Sequence, residues 1–236
     1  MKNVLITGGS RGIGKACVYE FSNNGYRVFL NYNKSSDEAE KIKNETGAVI
    51  VKADVSNSKQ VNDMAEFIHT NYGKIDVIVN NAGISQQKLF TDITENDWNR
   101  MFDVNMKSMY LVTKAFVDDM IYKQSGKIIN ISSMWGVTGG SCEVHYSAAK
   151  AAVIGFTKAL AKELAPSNIQ VNAIACGVID TQMNACFSEE ERAELADEIP
   201  AGRFGTPEET AHLAVQLATG NEYLTGQIIT LDGGWL

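Results

Sequence analysis

Seven short apolar runs alternate with longer segments of helical period, and this alternation limits the fold more than any other feature. The runs are rich in Val and Ile and lack strict polar–apolar alternation, which is typical of strands buried on both faces. They occupy Val4–Thr7, Arg27–Tyr32, Ala48–Ala53, Ile75–Asn80, Gly126–Ser132, Gln170–Ala175 and Gln227–Leu231. Strands that alternate with helices form parallel sheets through right-handed crossovers. We therefore predict an α/β fold with a doubly wound, parallel, seven-stranded sheet and helices on both faces.

Length, charge and cysteine usage exclude several classes of function. The 236 residues show no break in composition, which predicts one domain spanning residues 1–236. The net charge is −7 and the basic residues are scattered, so no nucleic-acid surface is expected. No apolar run has the length of a membrane span, and a strand begins at Asn3, so neither a membrane anchor nor a signal peptide is expected. The cysteines lack the paired spacing of a metal site or disulfide framework, which predicts free thiols in a cytoplasmic protein: Cys17, Cys142, Cys176 and Cys186.

The first predicted strand runs directly into a glycine-rich turn and then into a helical pattern. Its glycines are Gly8, Gly12 and Gly14, a spacing that differs from the G-x-G-x-x-G fingerprint. Glycines let the backbone lie close to a bound phosphate, whose charge the free amides at a helix start stabilise. The turn is therefore either a phosphate site or an ordinary connection between strand and helix.

The ends of the second and third strands bear on which dinucleotide such a site would hold. An acid about 20 residues after the glycines binds the ribose 2′-hydroxyl of NAD. Here no acid occurs before Asp37, whereas Arg11 and Lys34 are cationic, which favours the 2′-phosphate of NADP. Arg11 is otherwise a solvated loop residue. Asp54 could accept a hydrogen bond from an adenine amino group, or it could be a turn residue.

The fifth strand and the following helix bring three reactive side chains into order. Tyr146 and Lys150 stand four residues apart, so they share one helix face, and Ser133 ends the preceding strand. Lowering a tyrosine pKa from about 10 to about 7 requires about 4 kcal/mol of differential stabilisation, which a nearby ammonium and a nicotinamide cation could supply. Such a tyrosine can protonate a carbonyl oxygen as a hydride arrives. Asn105 interrupts the apolar face of an earlier helix, where it either braces the backbone or holds a water.

Taken together, these motifs resemble those of the classical short-chain dehydrogenases/reductases, a Rossmann-fold family of NAD(P)-dependent oxidoreductases. The matching features are Thr7-Gly8-x-x-x-Gly12-x-Gly14, Asn81-Ala82-Gly83, and Asn105, Ser133, Tyr146 and Lys150 in that order. The resemblance implies that Tyr146 is the acid/base and that Lys150 lowers its pKa and binds the nicotinamide ribose. It also implies that Ser133 polarises the carbonyl and that Asn105 anchors a water in a proton relay.

The same resemblance implies a cofactor site for NADP(H) and a homotetramer. The implied cofactor contacts are Gly8, Ser10, Arg11, Gly12, Ile13, Gly14, Asn31, Tyr32, Asp54, Val55, Asn81, Ala82, Gly83, Tyr146, Lys150, Gly177, Ile179 and Thr181. Cys176 stands where the family usually has a proline, which puts the stiffness of the following loop in doubt. Residues at about 182–200 have the position of a substrate lid, although they also suit a surface helix pair with Ser188 as N-cap.

Two branches of that family compete for the substrate. Arg11, Leu30-Asn31-Tyr32 and the 202–206 stretch resemble 3-oxoacyl-acyl-carrier-protein reductases, which implies a 3-oxoacyl thioester carried by acyl carrier protein. Residues 134–136 and 141–144 and the terminal Trp235 resemble a branch described as elongation factor P 5-aminopentanone reductases. The substrate-contact candidates are Trp135 and Glu143; the Glu143 carboxylate could pair with a substrate ammonium or simply face solvent. A non-catalytic dinucleotide-binding scaffold is the alternative from another class.

Overall fold

The computed structural model describes residues 1–185 and 187–236, so the expectation of a free thiol at Cys186 lies outside the described residues. One sheet of seven parallel strands runs through the chain in the order β3-β2-β1-β4-β5-β6-β7. The strands are β1 (Asn3–Ile6), β2 (Arg27–Tyr32), β3 (Val49–Lys52), β4 (Val77–Asn80), β5 (Gly126–Ser133), β6 (Ile169–Cys176) and β7 (Ile228–Leu231). Each predicted run overlaps one of these strands, which confirms the predicted α/β fold with a doubly wound parallel sheet.

The helices follow the strands in the predicted alternation. They are α1 (Gly12–Asn23), α2 (Ser36–Thr46), α3 (Ser58–Tyr72), α4 (Glu95–Phe102), α5 (Ser108–Lys123), α6 (Trp135–Thr138), α7 (Val144–Leu164), α8 (Glu189–Glu198) and α9 (Pro207–Thr219). A π-helical turn, Asp103–Lys107, joins α4 to α5, and short 3-10 turns lie at Phe90–Asp92, Ala165–Ser167 and Gln182–Asn184. In the part of the chain described, no helix is both long and apolar enough to cross a membrane.

Two apolar cores lie on opposite faces of the sheet because successive strand residues point to opposite sides. In β1, Val4 and Ile6 pack against α1, α2 and α9, whereas Leu5 packs against α3, α5 and α7. All three side chains have 0% exposure. The sheet is therefore covered on both faces, as the runs of Val and Ile predict.

The chain order places the reactive residues at one edge of this sheet. The strand order reverses between β1 and β4, and ligands of doubly wound sheets bind beyond the carboxyl ends of the strands at such a switch point. The glycine turn follows β1, and Asn81-Ala82-Gly83 follows β4, so the two segments meet there. Of the cysteines that the structure describes, Cys17, Cys142 and Cys176 are free thiols.

Candidate active site

The glycine turn after β1 leads directly into the first turn of α1. Gly8 and Gly12 have φ of +64° and +51°, a region that L side chains rarely adopt. A Cβ on Gly14 would lie 2.2 Å from the Gly8 carbonyl oxygen. The N-cap residue Arg11 makes no side-chain cap hydrogen bond, so no side chain competes for these amides. Amides at a helix start bind anions, and the turn therefore fits a pyrophosphate; its remaining predicted contacts are buried Ser10 and half-buried Ile13.

Asn81 and Thr7 hold this turn against the end of β4. The Asn81 side-chain Nδ2 donates to the carbonyl oxygens of Thr7 at 2.9 Å and of Gly8 at 3.2 Å. In return, the Thr7 hydroxyl accepts the N–H groups of Asn81 at 2.9 Å and Ala82 at 3.0 Å. Thr7 is a site residue that sequence reasoning included only as part of a motif. The sequence feature that could identify it is a threonine placed directly between a strand and a glycine turn.

The side chains of Asn31 and Tyr32 make their contacts within the protein. Asn31 is 2% exposed; its amide nitrogen donates to the Ala53 carbonyl at 3.0 Å, and its amide oxygen accepts the Gly8 N–H at 3.4 Å. Tyr32 is 9% exposed and packs into the core beneath α2. Both side chains therefore fasten β2 to its neighbours, and cofactor contacts at these two residues stay a prediction. Lys34, two residues beyond the strand, is exposed.

Asp54 and Val55 follow β3 beside the same edge. One Asp54 carboxylate oxygen accepts the Ser56 N–H at 3.0 Å and the Ser56 hydroxyl at 2.6 Å. Burial disfavours the charged carboxylate, but hydrogen bonds from Ser56 and Asn33 outweigh it and lower the Asp54 pKa. Val55 is 6% exposed and packs in the core. Asp54 thus has the turn role considered above, and its contact with an adenine amino group stays a prediction.

Ser133, Tyr146 and Lys150 come together at the junction of β5 and α7. Lys150 is 4% exposed, donates from Nζ to the Ile131 carbonyl oxygen at 2.9 Å, and lies 5.7 Å from the centre of the Tyr146 ring. Ser133 is 7% exposed and acts on the Tyr146 phenol as a hydrogen-bond partner. Gly136 permits this packing, since a Cβ there would lie 2.7 Å from the Lys150 carbonyl carbon.

The Tyr146 pKa is raised in the protein alone, whereas the sequence expectation concerns a site that also holds a nicotinamide cation. Burial raises the Tyr146 pKa well above its usual value, Ser133 opposes the rise, and the Glu143 carboxylate adds to it. Burial also lowers the Lys150 pKa to about 8. The Lys150 ammonium is directed at the Ile131 carbonyl. In this structure the phenol is a protonated acid at neutral pH.

Asn105 braces the backbone, the first of the two roles considered for it. It lies in the π-helical turn between α4 and α5 with 0% exposure. Its amide nitrogen donates to the carbonyl oxygens of Ile84 at 2.9 Å and Met101 at 3.0 Å, and its amide oxygen accepts the Ile84 N–H at 3.2 Å. A Cβ on Gly83 would lie 2.7 Å from that oxygen, so glycine is required beside it. The side chain therefore fixes the start of the loop that follows β4.

Trp135 and Glu143, the two substrate candidates, contact each other beside Tyr146. Both are half-buried. Burial raises the Glu143 pKa, and a hydrogen bond from the Trp135 side chain opposes that rise. The Trp135 ring packs edge-on against Trp235 with 5.9 Å between centroids. The site therefore has one wall made of two indoles and a partly desolvated carboxylate.

The segment after β6 closes the other side of the glycine turn. A Cβ on Gly12 would lie 3.2 Å from Thr181 Cγ2, and Ile179 bridges Gly205. Cys176 is the last residue of β6 and pairs in register with both Ser133 and Leu231. Two flanking strands thus supply the stiffness that the family's proline would give. Gly177 lies so close to Asp232 that a Cβ would meet the Asp232 Cα at 2.7 Å.

The predicted lid contains α8, which buries none of its residues. Ser188 caps this helix through a capping box with Glu191. Arg192 attaches the helix to the body through an ion pair of 2.8 Å with Asp180, and its guanidinium lies 4.7 Å from the centre of the Phe204 ring. The helix therefore begins at the predicted N-cap, Ser188, and Arg192 ties it to Asp180 and Phe204.

Comparisons with known proteins agree with this geometry. The family model described as short chain dehydrogenase matches residues 2–192. The chain is 41% identical over 239 residues to a 3-oxoacyl-[acyl-carrier-protein] reductase FabG of Chlamydia muridarum, covering 99% of this chain and 96% of that protein. It is 40% identical over 240 residues to the Thermotoga maritima protein of the same name, covering 99% and 97%. An uncharacterized oxidoreductase, YmfI of Bacillus subtilis, is 42% identical over 241 residues, covering 99% and 98%.

These matches extend over nearly the whole chain, and they agree with the site geometry. The glycine turn, its free helix start and the cradle at Gly14 fit a nicotinamide dinucleotide. The chain belongs to the short-chain dehydrogenase family, whose members are oxidoreductases that act on CH–OH and C=O groups with a nicotinamide dinucleotide cofactor.

Proposed function

We propose that this protein is an NADPH-dependent carbonyl reductase whose substrate is a 3-oxoacyl thioester. The observation that carries the proposal is the placement of Tyr146 beside Ser133 and Lys150 at the mouth of the glycine turn. A protein that only binds a dinucleotide has no need of this arrangement. The substrate class is supported by the relatives named 3-oxoacyl-[acyl-carrier-protein] reductase. The carrier of the thioester would then be acyl carrier protein.

Each polar residue of the site has a role in carbonyl reduction. The bound cofactor supplies the hydride. Ser133 donates a hydrogen bond to the ketone oxygen and holds it beside the phenol. Tyr146 then transfers its proton to that oxygen as negative charge develops there. Its raised pKa suits this direction, because the phenol still carries its proton at neutral pH.

Lys150 stabilises the tyrosine after the proton has left. Its pKa of about 8 leaves the amine mostly charged at pH 7. The ammonium lies 5.7 Å from the ring centre, so it offsets the phenolate charge in a site from which water is largely excluded. Lys150 is also within reach of the space above Gly83, where a Cβ would lie 3.6 Å from Nζ; this supports its role at the nicotinamide ribose.

The NADP preference rests on two exposed cations. Arg11 is the N-cap residue of α1, and Lys34 lies just after β2. Neither Asn33 nor Lys34, the two residues that follow β2, is acidic. A guanidinium binds a phosphate through two hydrogen bonds, whereas an acid at this point would repel it. Arg11→Ala should lower the NADPH-over-NADH ratio of kcat/KM about tenfold. The proposal for NADP fails if the ratio is small in the wild type and unchanged in the variant.

A second candidate substrate is the 5-aminopentanone group on a modified lysine of elongation factor P. Glu143 favours it, because a partly desolvated carboxylate beside Tyr146 pairs well with an ammonium. The indoles of Trp135 and Trp235 add two surfaces suited to a cation. Under the first candidate, Glu143 instead serves as a partner of Trp135.

One comparison separates the candidates. NADPH and NADH oxidation is measured with an acetoacetyl thioester and with an amino-ketone on a protein lysine, side by side. Thioester turnover with NADPH supports the first candidate; turnover of the amino-ketone alone supports the second. In the second case Glu143→Gln should lower the ratio of activity on amino-ketones to activity on neutral ketones. An unchanged ratio would reject the ammonium pairing.

Tyr146→Phe tests whether the protein is an enzyme at this site. The variant should lose at least about a hundredfold in kcat, which is the usual contribution of a general acid. Its nucleotide affinity should stay within about twofold, because the glycine turn is untouched. Tight nucleotide binding with no turnover of either substrate in the wild type would instead support a non-catalytic scaffold.

The remaining features of the proposal concern assembly and access. We expect one domain spanning residues 1–236, a lid at about 182–200, and a cytoplasmic homotetramer. The lid is supported by the exposed α8. The tetramer is supported by α7, on which Ala151 and Gly155 are exposed and small enough for a second helix to approach. Sedimentation of the purified protein measures the number of subunits.

A further inference from the structure

Helix α7 carries the proposed acid in its first turn but begins without a side-chain cap. Its N-cap residue, Glu143, makes no cap hydrogen bond, whereas α4, α8 and α9 each begin with a capping box. Tyr146 is the third residue of α7. The first turn of a helix frays readily when its amides lack a cap. The position of the phenol therefore depends on contacts made by the neighbouring residues.

His145, the residue before Tyr146, is fully buried and makes one of these contacts. It has 0% exposure, and its Nε2 lies 3.1 Å from the Gln86 amide oxygen. An amide oxygen can only accept, so Nε2 carries the proton and Nδ1 is left as a bare acceptor. Nδ1 is buried and has no partner among the described residues. His145 is therefore a neutral donor directed at Gln86.

Gln86 belongs to a loop that is fixed on both sides of it. The Lys88 N–H donates to the Cys142 carbonyl at 2.7 Å, and the Lys88 ammonium pairs with Asp97 at 2.7 Å. The Gln86 amide nitrogen lies 3.5 Å from the same Asp97 side chain, which orients the amide oxygen toward His145. Before Gln86, the loop is held by the bonds of Asn105 described above. The loop is thus a rigid support for the helix start.

We propose that His145 is a positioning residue for Tyr146: its hydrogen bond to Gln86 holds the first turn of α7 against the loop after β4. The inference rests on the proposed role of Tyr146 as the acid. His145 itself does not touch the reacting atoms. Its charged neighbours are Asp97 of α4, which raises the His145 pKa, and Lys88 of the loop, which lowers it. Burial is the largest influence and lowers the His145 pKa.

The test removes the hydrogen bond from each side separately. His145→Phe deletes the donor but keeps a ring, and Gln86→Leu deletes the acceptor while leaving His145 in place. Each should lower kcat between about ten- and a hundredfold, as expected for a reacting group displaced by about 1 Å. KM should change less than about twofold, since neither variant alters the substrate walls. His145→Gln, which keeps a donor, should recover most of kcat.

A second readout does not depend on turnover. Amide hydrogen exchange of residues 147–150, whose N–H groups bond to carbonyls of the first turn, should accelerate in both variants, whereas Val144→Ala, an exposed residue of the same turn, should leave both exchange and kcat unchanged. The double variant should be no worse than either single one, because both remove the same bond. Unchanged exchange in the single variants, or losses that multiply in the double variant, would overturn the proposal. If the wild type turns over neither ketone, the proposed function fails, and exchange alone still decides the role of His145.

Discussion

Replacing Gly14 by alanine sets two opposite effects against each other, and the structure decides which is larger. Gly14 is the third residue of α1, and its φ lies outside the left-handed region. In an open helical position, alanine would stabilise the protein by about 1 kcal/mol relative to glycine. Here, however, the added Cβ would lie 2.2 Å from the Gly8 carbonyl oxygen and 2.4 Å from Asn81 Nδ2. Neither atom has room to retreat, since Asn81 Nδ2 itself binds the carbonyls of Thr7 and Gly8.

The balance is a net destabilisation of about 2–4 kcal/mol. Overpacking of a well-packed site costs about 1–3 kcal/mol. Displacing Asn81 weakens two hydrogen bonds at about 1 kcal/mol each. The helix gain of about 1 kcal/mol offsets only part of this sum. For a chain of this size, each kcal/mol lowers the unfolding midpoint by about 2–4 °C, so Tm should fall by roughly 4–16 °C.

Urea and thermal unfolding of the cofactor-free protein measure this loss, and a nucleotide titration measures the affinity. The affinity should fall with the stability, because the same carbonyl and amide frame the phosphate site. Gly155→Ala is the matched control: Gly155 lies within α7, and a Cβ there would meet nothing within 4 Å. It should gain up to about 1 kcal/mol at protein concentrations that would dissociate the proposed tetramer. A Gly14→Ala protein as stable as the wild type, with unchanged affinity, would refute the assignment of the turn.

Three further outcomes follow from buried or weakly attached groups. Burial lowers the Lys150 pKa from 10.5 to about 8. Between pH 8 and 10 the unfolded chain therefore binds more protons at this residue than the folded chain does, and the contribution of Lys150 to stability rises with pH. The difference in urea stability between the wild type and Lys150→Met should show that slope. Arg192→Ala removes the ion pair with Asp180 and should accelerate amide exchange across α8, while the unfolding midpoint should change by no more than about 2 °C. Faster exchange in α1 as well would contradict a local role of this ion pair. Asn105→Ala leaves the N–H and the carbonyl of Ile84 without their partner and should lower the free energy of unfolding in urea by about 2–4 kcal/mol. A loss below about 1 kcal/mol would show that the loop after β4 does not depend on this side chain.

The existence and type of the strands are predictable from sequence, but their lengths are set by their neighbours. The run at 48–53 shortens to Val49–Lys52 because β3 is an edge strand that pairs only with four residues of β2. The run at 170–175 lengthens to Ile169–Cys176 because all eight residues of β5 find a partner there. Apolar density identifies a buried strand, whereas its ends depend on the register with strands distant in sequence.

The convergence of the reactive residues is also predictable, since strand ends in a parallel sheet meet at one edge. What the sequence does not reveal is where buried amide and imidazole groups find their partners. Asn31 follows the glycine turn by the distance expected of a ribose contact, yet its side chain bonds to Gly8 and Ala53. His145 stands beside Tyr146 with no local signal, and its partner Gln86 lies 59 residues earlier. Such pairs are decided by tertiary packing, because a buried polar group must bond to whatever the fold places nearby.

The electrostatics of Tyr146 illustrate the limit most clearly. The i, i+4 spacing correctly predicts that Lys150 lies on the same helix face, but it does not reveal how strongly burial acts on the phenol. The Lys150 ammonium is bonded to the Ile131 carbonyl, and burial is the largest influence on the Tyr146 pKa; the hydrogen bond with Ser133 opposes the rise and the Glu143 carboxylate adds to it. A lowered tyrosine pKa must therefore come from charge that arrives with the ligand. The phenol absorbance should accordingly titrate above pH 10 in the free protein and shift to lower pH when oxidised nicotinamide dinucleotide is bound, because only the complex places a second cation beside the ring.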